Sequence, residues 1–312
     1  MVGLVDANDT PLTPEQAGVL KRFLADVVLR LNSLFWIVNK DGIPCRFRMN
    51  WAQKELHETA HFRNNILKVR KLGISTYIAM LILDMCLFIP HFKAGIIDKT
   101  LNDAESKLKK IAFAWDHLDY VPENPSALDL ELARIGAMLK AYHAGIKINQ
   151  QSIEFANGSR VTVGTSLRGD TLQLLHVSEL GYIAAHDPIR ATEIITGSLN
   201  TVGKGGRVHM ESTHEGGKYG LNYEQILGAM DMIGKPLSSL DFKFYFSPGS
   251  GIRNMFWTGS PIQQRNSSNI LPPSNRSVIP RYRLGSGPGI APWSACSAAG
   301  GARSTPPRRT RR

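Results

Sequence analysis

The chain has 312 residues, 43% hydrophobic and 20% charged, which is an ordinary soluble composition with enough material for one large domain or two small ones. Its net charge of +11 suggests a nucleic-acid binder until the charge is located: Gly249 to Arg312 holds ten arginines and no lysine, aspartate or glutamate, so residues 1–248 are close to neutral. Cys45, Cys86 and Cys296 form no C-x-x-C pair, and the first nine residues have neither a basic segment nor an apolar run; both features argue against a disulfide framework or secretory leader and for a cytosolic protein.

Thr13-Pro14-Glu15-Gln16 reads as a helix start, with Thr13 as N-cap and Pro14 at the first helical position. Leu20, Phe23, Leu24, Val27, Val28 and Leu31 follow at spacings of three and four, so one amphipathic helix is expected through Leu31. Leu34 to Val38 and Ile43 to Met49 flank Lys40-Asp41-Gly42, a hairpin signal. His57-Glu58-Thr59-Ala60-His61 then matches H-E-x-x-H, which on a helix places two imidazoles on one face for zinc with the glutamate as base. The extended form of that motif needs Gly and His where Asn64 and Leu67 stand, so a zinc hydrolase is the weaker reading and no zinc ligand set is assigned.

Asn65 to Thr76 is an apolar strand running into a basic turn and a helix. It reads as a phosphate-binding loop of the G-x-x-x-x-G-K-[ST] kind, in which backbone N–H groups and a cation hold phosphates and a hydroxyl binds Mg²⁺. Two positions depart from the pattern: Lys68 replaces the first glycine and Ile74 replaces the lysine. The cation must therefore come from earlier in the loop, with Arg70 expected and Lys68 and Lys71 as seconds, while Gly73, Ser75 and Thr76 open the helix and Ser75 is the expected Mg²⁺ ligand. A capped tight turn is the bland alternative.

The run Tyr77 to Ile89 is interrupted by Asp84 and stops at Pro90, too short to span a bilayer, so no membrane association is expected and the segment reads as a buried helix. His91 to Ile97 should be a strand and Asn102 to Leu118 an amphipathic helix, giving the alternation of a parallel sheet covered on both faces. A helix over Leu130 to Tyr142 and a hairpin over Ile153 to Val163 with an Asn157-Gly158 turn follow. Leu172 to Glu179 is an apolar strand ending in an acid, suited to polarise water near a γ-phosphate; Ser178 stands where an aspartate is common. Arg207 to Gly217 is a strand ending in hydroxyls and glycines, suited to a phosphate-sensing switch. Asn222 to Met232 should be a helix and Leu240 to Phe246 a strand.

Taken in order, Lys68-Val-Arg70-Lys-Leu-Gly73-Ile-Ser75-Thr76, Leu174-Leu-His-Val-Ser178-Glu179 and Glu211-Ser212-Thr213-His-Glu-Gly216 resemble the ATPase domain of the large terminase subunit of tailed bacteriophages, over about residues 30 to 248. The resemblance implies an α/β phosphate-loop ATPase of the RecA/ASCE type with a central, mostly parallel sheet, using ATP and Mg²⁺ to move double-stranded DNA into a procapsid. In that family's terms Gln53, with Phe47, would read the adenine; Lys68, Arg70, Lys71, Gly73, Ser75 and Thr76 would hold ATP; Glu179 and Arg70 would be catalytic; and Glu211, Ser212 and Thr213 would couple hydrolysis to movement. Arg168 and Arg190 are candidates for a finger completing a neighbouring subunit's site. A homo-oligomeric ring, a portal protein and a small terminase subunit are the implied partners, and the cytoplasm of a bacterial host the implied location. A helicase-like ATPase is the nearer alternative to the zinc hydrolase.

The expected division is a helical segment over residues 1–33, the ATPase domain over 34–248 and a disordered tail over 249–312. A complete large terminase adds a nuclease that needs clustered carboxylates, and the tail has no carboxylate side chain. Its composition resembles out-of-frame translation, so a truncated fragment without nuclease activity is expected; an arginine-rich tail that binds nucleic acid is the alternative.

Overall fold

The computed structural model describes residues 23–215 and 219–247, together with Gly18, Lys21 and Gly217. The helix start at Thr13, the switch glycine Gly216 and the arginine-rich tail fall outside these residues.

Runs of β-branched and apolar residues buried on both faces assemble the central sheet. Its strands are β3 (Arg63–Lys68), β4 (Lys93–Ile97), β5 (Lys147–Ile148), β6 (Ser152–Glu154), β7 (Arg160–Gly164), β8 (Leu172–Ser178), β9 (Val202–Ser212) and β10 (Phe242–Ser247), after the small hairpin of β1 (Trp36–Val38) and β2 (Pro44–Arg46). They lie in the order β10-β3-β9-β8-β4-β7-β6-β5. From β10 to β7 every neighbouring pair is parallel, and β6 and β5 close one edge in antiparallel fashion. The sheet is flanked by α1 (Val27–Ser33), α2 (Trp51–Thr59), α3 (Ile74–Phe88), α4 (Leu101–Asp116), α5 (Ala127–Tyr142), α6 (Leu180–His186), α7 (Pro188–Thr196) and α8 (Leu221–Asp231). The α/β expectation with a mostly parallel sheet holds.

Two apolar clusters define the layers. Ile66, Ala94, Ile96 and Leu174 pack on one face with Ile78, Leu81 and Ile82 of α3 and Leu108 and Ile111 of α4. Leu175, Val177, Val208 and Met210 pack on the other with Leu180 and Ile183 of α6 and Ala191 and Ile194 of α7. Helix α3 is buried nearly all round, and its one acid, Asp84, is bound in bidentate fashion by Arg30 of α1, with Nε–Oδ1 at 2.7 Å and Nη2–Oδ2 at 2.8 Å. The pair explains how a carboxylate is accommodated at 1% exposure in an apolar helix. Among the described residues no helix is long and apolar enough to cross a membrane.

Several local expectations are corrected. The helix expected to run through to Leu31 is interrupted at Asp26, which is extended and accepts the Leu29 N–H at 3.0 Å, so its carboxylate starts a new helix in place of continuing the old one. Strand β9 begins five residues before Arg207, and α6, α7 and β5 were not foreseen. For α7 the signal was present: Asp187 accepts the Arg190 N–H at 3.0 Å and Pro188 occupies the first turn.

Candidate functional site

The chain order sets where a site can form. From β3 the chain crosses through α3 to β4, beyond β9 and β8, whereas from β9 it returns to β10 on the other side of β3. Parallel sheets bind ligands at the carboxyl ends of strands flanking such a reversal, and here those ends belong to β3, β9 and β8.

The turn leaving β3 is built for close approach. Lys71 and Gly73 both adopt positive φ, 67° and 74°, the region that glycine enters without steric cost. Gly73 is the N-cap of α3 and provides no side-chain cap, and among the described residues no side chain bonds the N–H groups of that helix end, which leaves them available to an anion. A Cβ on Gly73 would come within 2.7 Å of Gln53 Nε2. Gln53 donates from Nε2 to the Gly73 carbonyl at 2.8 Å and accepts the Asn50 N–H at 2.9 Å, while Asn50 Nδ2 donates to the Leu72 carbonyl at 2.9 Å. Both amide ends of Gln53 are thus engaged in fastening the start of α2 to the loop.

Register brings the polar residues together. Ser178 of β8 stands beside Glu211 of β9, which stands beside Ile66 of β3. With alternating side chains, His176, Ser178, His209, Glu211, Asn64 and Lys68 share the α3 face of the sheet. Glu211 lies at the centre with a fully buried side chain. Its Oε1 accepts from Ser75 Oγ at the start of α3 and from Ser178 Oγ at 3.1 Å, and meets His176 Nε2 at 3.1 Å. Its Oε2 faces Lys68 Nζ at 3.1 Å. Lys68 also reaches Glu179 Oε1 at 3.2 Å, so one ammonium joins a carboxylate on β9 and one in the turn after β8.

Glu179 follows β8 at φ 57°, a left-handed conformation that costs a non-glycine residue about 1 kcal/mol or more and commonly marks functional positions. The turn aims its carboxylate at Lys68 and at Thr213, whose N–H and Oγ1 donate to Glu179 Oε2 at 3.4 and 3.3 Å. Ser212 Oγ accepts the Gly181 N–H at 2.9 Å and donates to the Thr213 carbonyl at 2.7 Å. The end of β9 is therefore tied directly to the acid and to the helix that follows it.

Burial would raise the pKa of Glu211, but the His176 ring, the Lys68 ammonium and the Ser75 hydroxyl outweigh it and hold the carboxyl well below the usual range. For Lys68, burial would lower the pKa, and the charges of Glu211 and then Glu179 more than offset it, so the amine is held charged. His209, beneath the cluster, is pushed down to about 3 by burial and by the charge of its neighbours His176 and Arg207.

With this geometry in view, similarities to solved structures can be stated. The fold is similar to the large terminase ATPase domain of Thermus phage P74-26, at 15% identity over 64% of this chain and 81% of that chain, with a TM-score of 0.42. It is also similar to the HK97 bacteriophage large terminase, at 14% identity over 70% of this chain and 43% of that one, with a TM-score of 0.45. A third similarity is to the Phi-28 gp11 DNA packaging motor, at 14% identity over 63% of this chain and 59% of that one, with a TM-score of 0.32. The chain spans less than half the length of the HK97 protein. No protein-family model and no curated protein matches the sequence.

Of the residues singled out from sequence, the fold gathers Lys68, Ser75, Glu179, Glu211 and Thr213 into one bonded cluster, with Ser212 beside it. Arg70 is exposed, and no described residue bonds its side chain. Lys71 is exposed and Thr76 half-buried. Arg190 donates to the Lys99 carbonyl at 2.9 Å, just past β4, whereas Arg168 pairs with Glu193 at 3.2 Å. Arg168 also lines an open polar cleft of about 690 Å³ with Asp170, Thr196 and Asn200, which includes none of the Lys68–Glu211 cluster. The H-E-x-x-H spacing does not put its imidazoles together: α2 ends at Thr59, Ala60 is extended, His57 Nδ1 meets Tyr77 Oη at 2.9 Å, and His61 Nε2 meets the Ser238 carbonyl at 2.7 Å. His176 escaped the sequence reading. Its signal was a polar residue two places before Ser178, following the apolar pair Leu174-Leu175 and mirrored by His209 and Glu211 in β9.

Proposed function

We propose that residues 34–248 form a Mg²⁺-dependent ATPase that works as the motor of a phage DNA-packaging enzyme. The observation that carries the hydrolytic part is the convergence of Lys68, Ser75, Glu179 and Glu211 at the carboxyl ends of β3, β9 and β8, beside a helix N-terminus free of side-chain caps. An anion, a cation and a water-activating carboxylate each find a matching group there. The DNA-packaging part rests on the ordered resemblance of the three motifs to large terminases.

The residues fit nucleotide and metal. N–H groups at the start of α3 would receive phosphate oxygens, Lys68 and Arg70 would balance their charge, and the Ser75 hydroxyl would ligate Mg²⁺. Bound Mg²⁺ supplies charge neutralisation on the transferring phosphoryl group. Glu179 orients the attacking water and accepts its proton. To do so it exchanges its pair with Lys68 for the water, while Lys68 turns to phosphate. Thr213, bonded to the other oxygen of the same carboxylate, registers that exchange, and Ser212 passes it to α6 through Gly181; Glu211, Ser212 and Thr213 thereby serve as the coupling segment. Arg168 or Arg190 would complete the site of the next subunit in a ring, with portal protein and small terminase subunit as partners. Gln53 would contribute to the nucleotide pocket by holding Gly73 in place.

ATP hydrolysis by the full chain, measured with and without duplex DNA across a salt series, tests this reading. Turnover that requires Mg²⁺, rises with DNA of any sequence and loses that stimulation as salt increases is expected, because contact is to backbone phosphates. Stimulation that is insensitive to salt, or equal without DNA, contradicts the DNA-translocating role.

A further inference from the structure

In phosphate-loop ATPases an acid on the strand preceding the water-activating glutamate stands beside the metal, and this chain has Ser178 at that position. The geometry points to Glu211, one strand over, as the carboxylate that serves the metal in its place. This rests on the nucleotide and metal reading above and adds to it the source of the missing acid.

Four observations meet on this side chain. Ser178 and Glu211 are direct register partners on adjacent parallel strands, so their side chains emerge at one level on one face. Ser178 Oγ donates to Glu211 Oε1 at 3.1 Å, which places the glutamate carboxylate within bonding distance of the serine that stands where the aspartate would be. The same oxygen accepts from Ser75 Oγ, the hydroxyl assigned to Mg²⁺, so the carboxylate already adjoins the metal ligand. Finally, Oε2 faces Lys68 Nζ at 3.1 Å, so the fold accommodates a cation against this group. A glutamate reaches one methylene further than an aspartate, and from β9 its carboxylate comes within 3.1 Å of the Ser178 hydroxyl on β8. His176 Nε2, 3.1 Å from Oε1, fixes the carboxylate from below, as outer partners orient metal-site groups elsewhere.

The test measures the affinity of the full chain for a fluorescent non-hydrolysable ATP analogue with Mg²⁺ and with EDTA, and reads the ratio of the two. The wild-type ratio should favour Mg²⁺. In Glu211→Gln it should fall about 10- to 100-fold, the usual consequence of removing a group that supports a metal site. Adding Ser178→Asp, which returns a carboxylate to β8, should recover most of the loss; a role confined to packing predicts no such rescue. Should Glu211→Gln fail to fold, Glu211→Asp keeps the charge, shortens the reach and should still lower the ratio. An unchanged ratio in the folded Glu211 variant, or no recovery on adding Ser178→Asp, overturns the assignment while leaving the nucleotide site intact. A wild-type chain that binds no analogue under either condition removes the nucleotide reading itself, and this assignment with it.

Discussion

Replacing Lys68 with methionine tests the central cluster through stability, independently of any ligand. The ammonium lies 3.1 Å from Glu211 and 3.2 Å from Glu179, and each such contact is worth about 5 kcal/mol at an effective dielectric constant of about 20. Burial of the ions opposes much of this gain. Removing the cation leaves the buried Glu211 without its counter-ion, a change that costs about 3–5 kcal/mol, a large share of the roughly 5–15 kcal/mol that holds a domain folded. The pH dependence carries a definite sign. In the wild type the depressed Glu211 pKa contributes stability that is complete above the unfolded carboxylate value and lost as pH falls through the lower folded value. In Lys68→Met the burial effect gains weight, the native carboxyl takes up a proton more readily, and the penalty shrinks as pH falls. Urea unfolding at about pH 7 and about pH 5 should therefore show a larger loss at the higher pH. A loss below about 1 kcal/mol, or one equal at both pH values, refutes the reasoning.

Two further substitutions probe other parts of the account. Asp84→Ala strands the Arg30 guanidinium at 5% exposure and should cost about 3–5 kcal/mol in urea unfolding, whereas Arg30→Met with Asp84→Leu should recover most of it. Gly181→Ala places a Cβ 2.6 Å from Ser212 Oγ and 2.8 Å from the Thr213 carbonyl. It should destabilise by about 1–3 kcal/mol and lower ATP turnover, with nucleotide affinity measured alongside largely kept.

The scaffold was legible because its signals are local. The apolar run ending at Lys68, the glycine at 73 and the apolar stretch from Ile74 define strand, turn and helix without reference to the rest of the chain, and Leu172 to Ser178 does the same for β8. The identity of the buried cation was not legible locally. Arg70 sits deeper in the loop sequence and closer to the helix, but Lys68 is the last residue of β3 and shares the face of Ile66, which registers with Glu211. That relation exists only once β9 is inserted between β3 and β8. The contacts of Glu211 were not legible for the same reason: its neighbours Ser178, His176 and Ser75 come from segments far away in sequence. The zinc-like spacing shows the opposite failure, since five residues in a row met the pattern while the helix that must present them stopped at Thr59.

The hydrolytic claim itself is tested most directly by single-turnover ATP hydrolysis with the full chain and Mg²⁺, comparing wild type with Glu179→Gln while nucleotide binding is followed in parallel. The account predicts that the variant binds nucleotide as the wild type does and hydrolyses it about 10²- to 10⁴-fold more slowly, the usual contribution of a positioned base. Equal turnover by the two proteins would contradict the role given to Glu179 and, with it, the ATPase reading of this cluster.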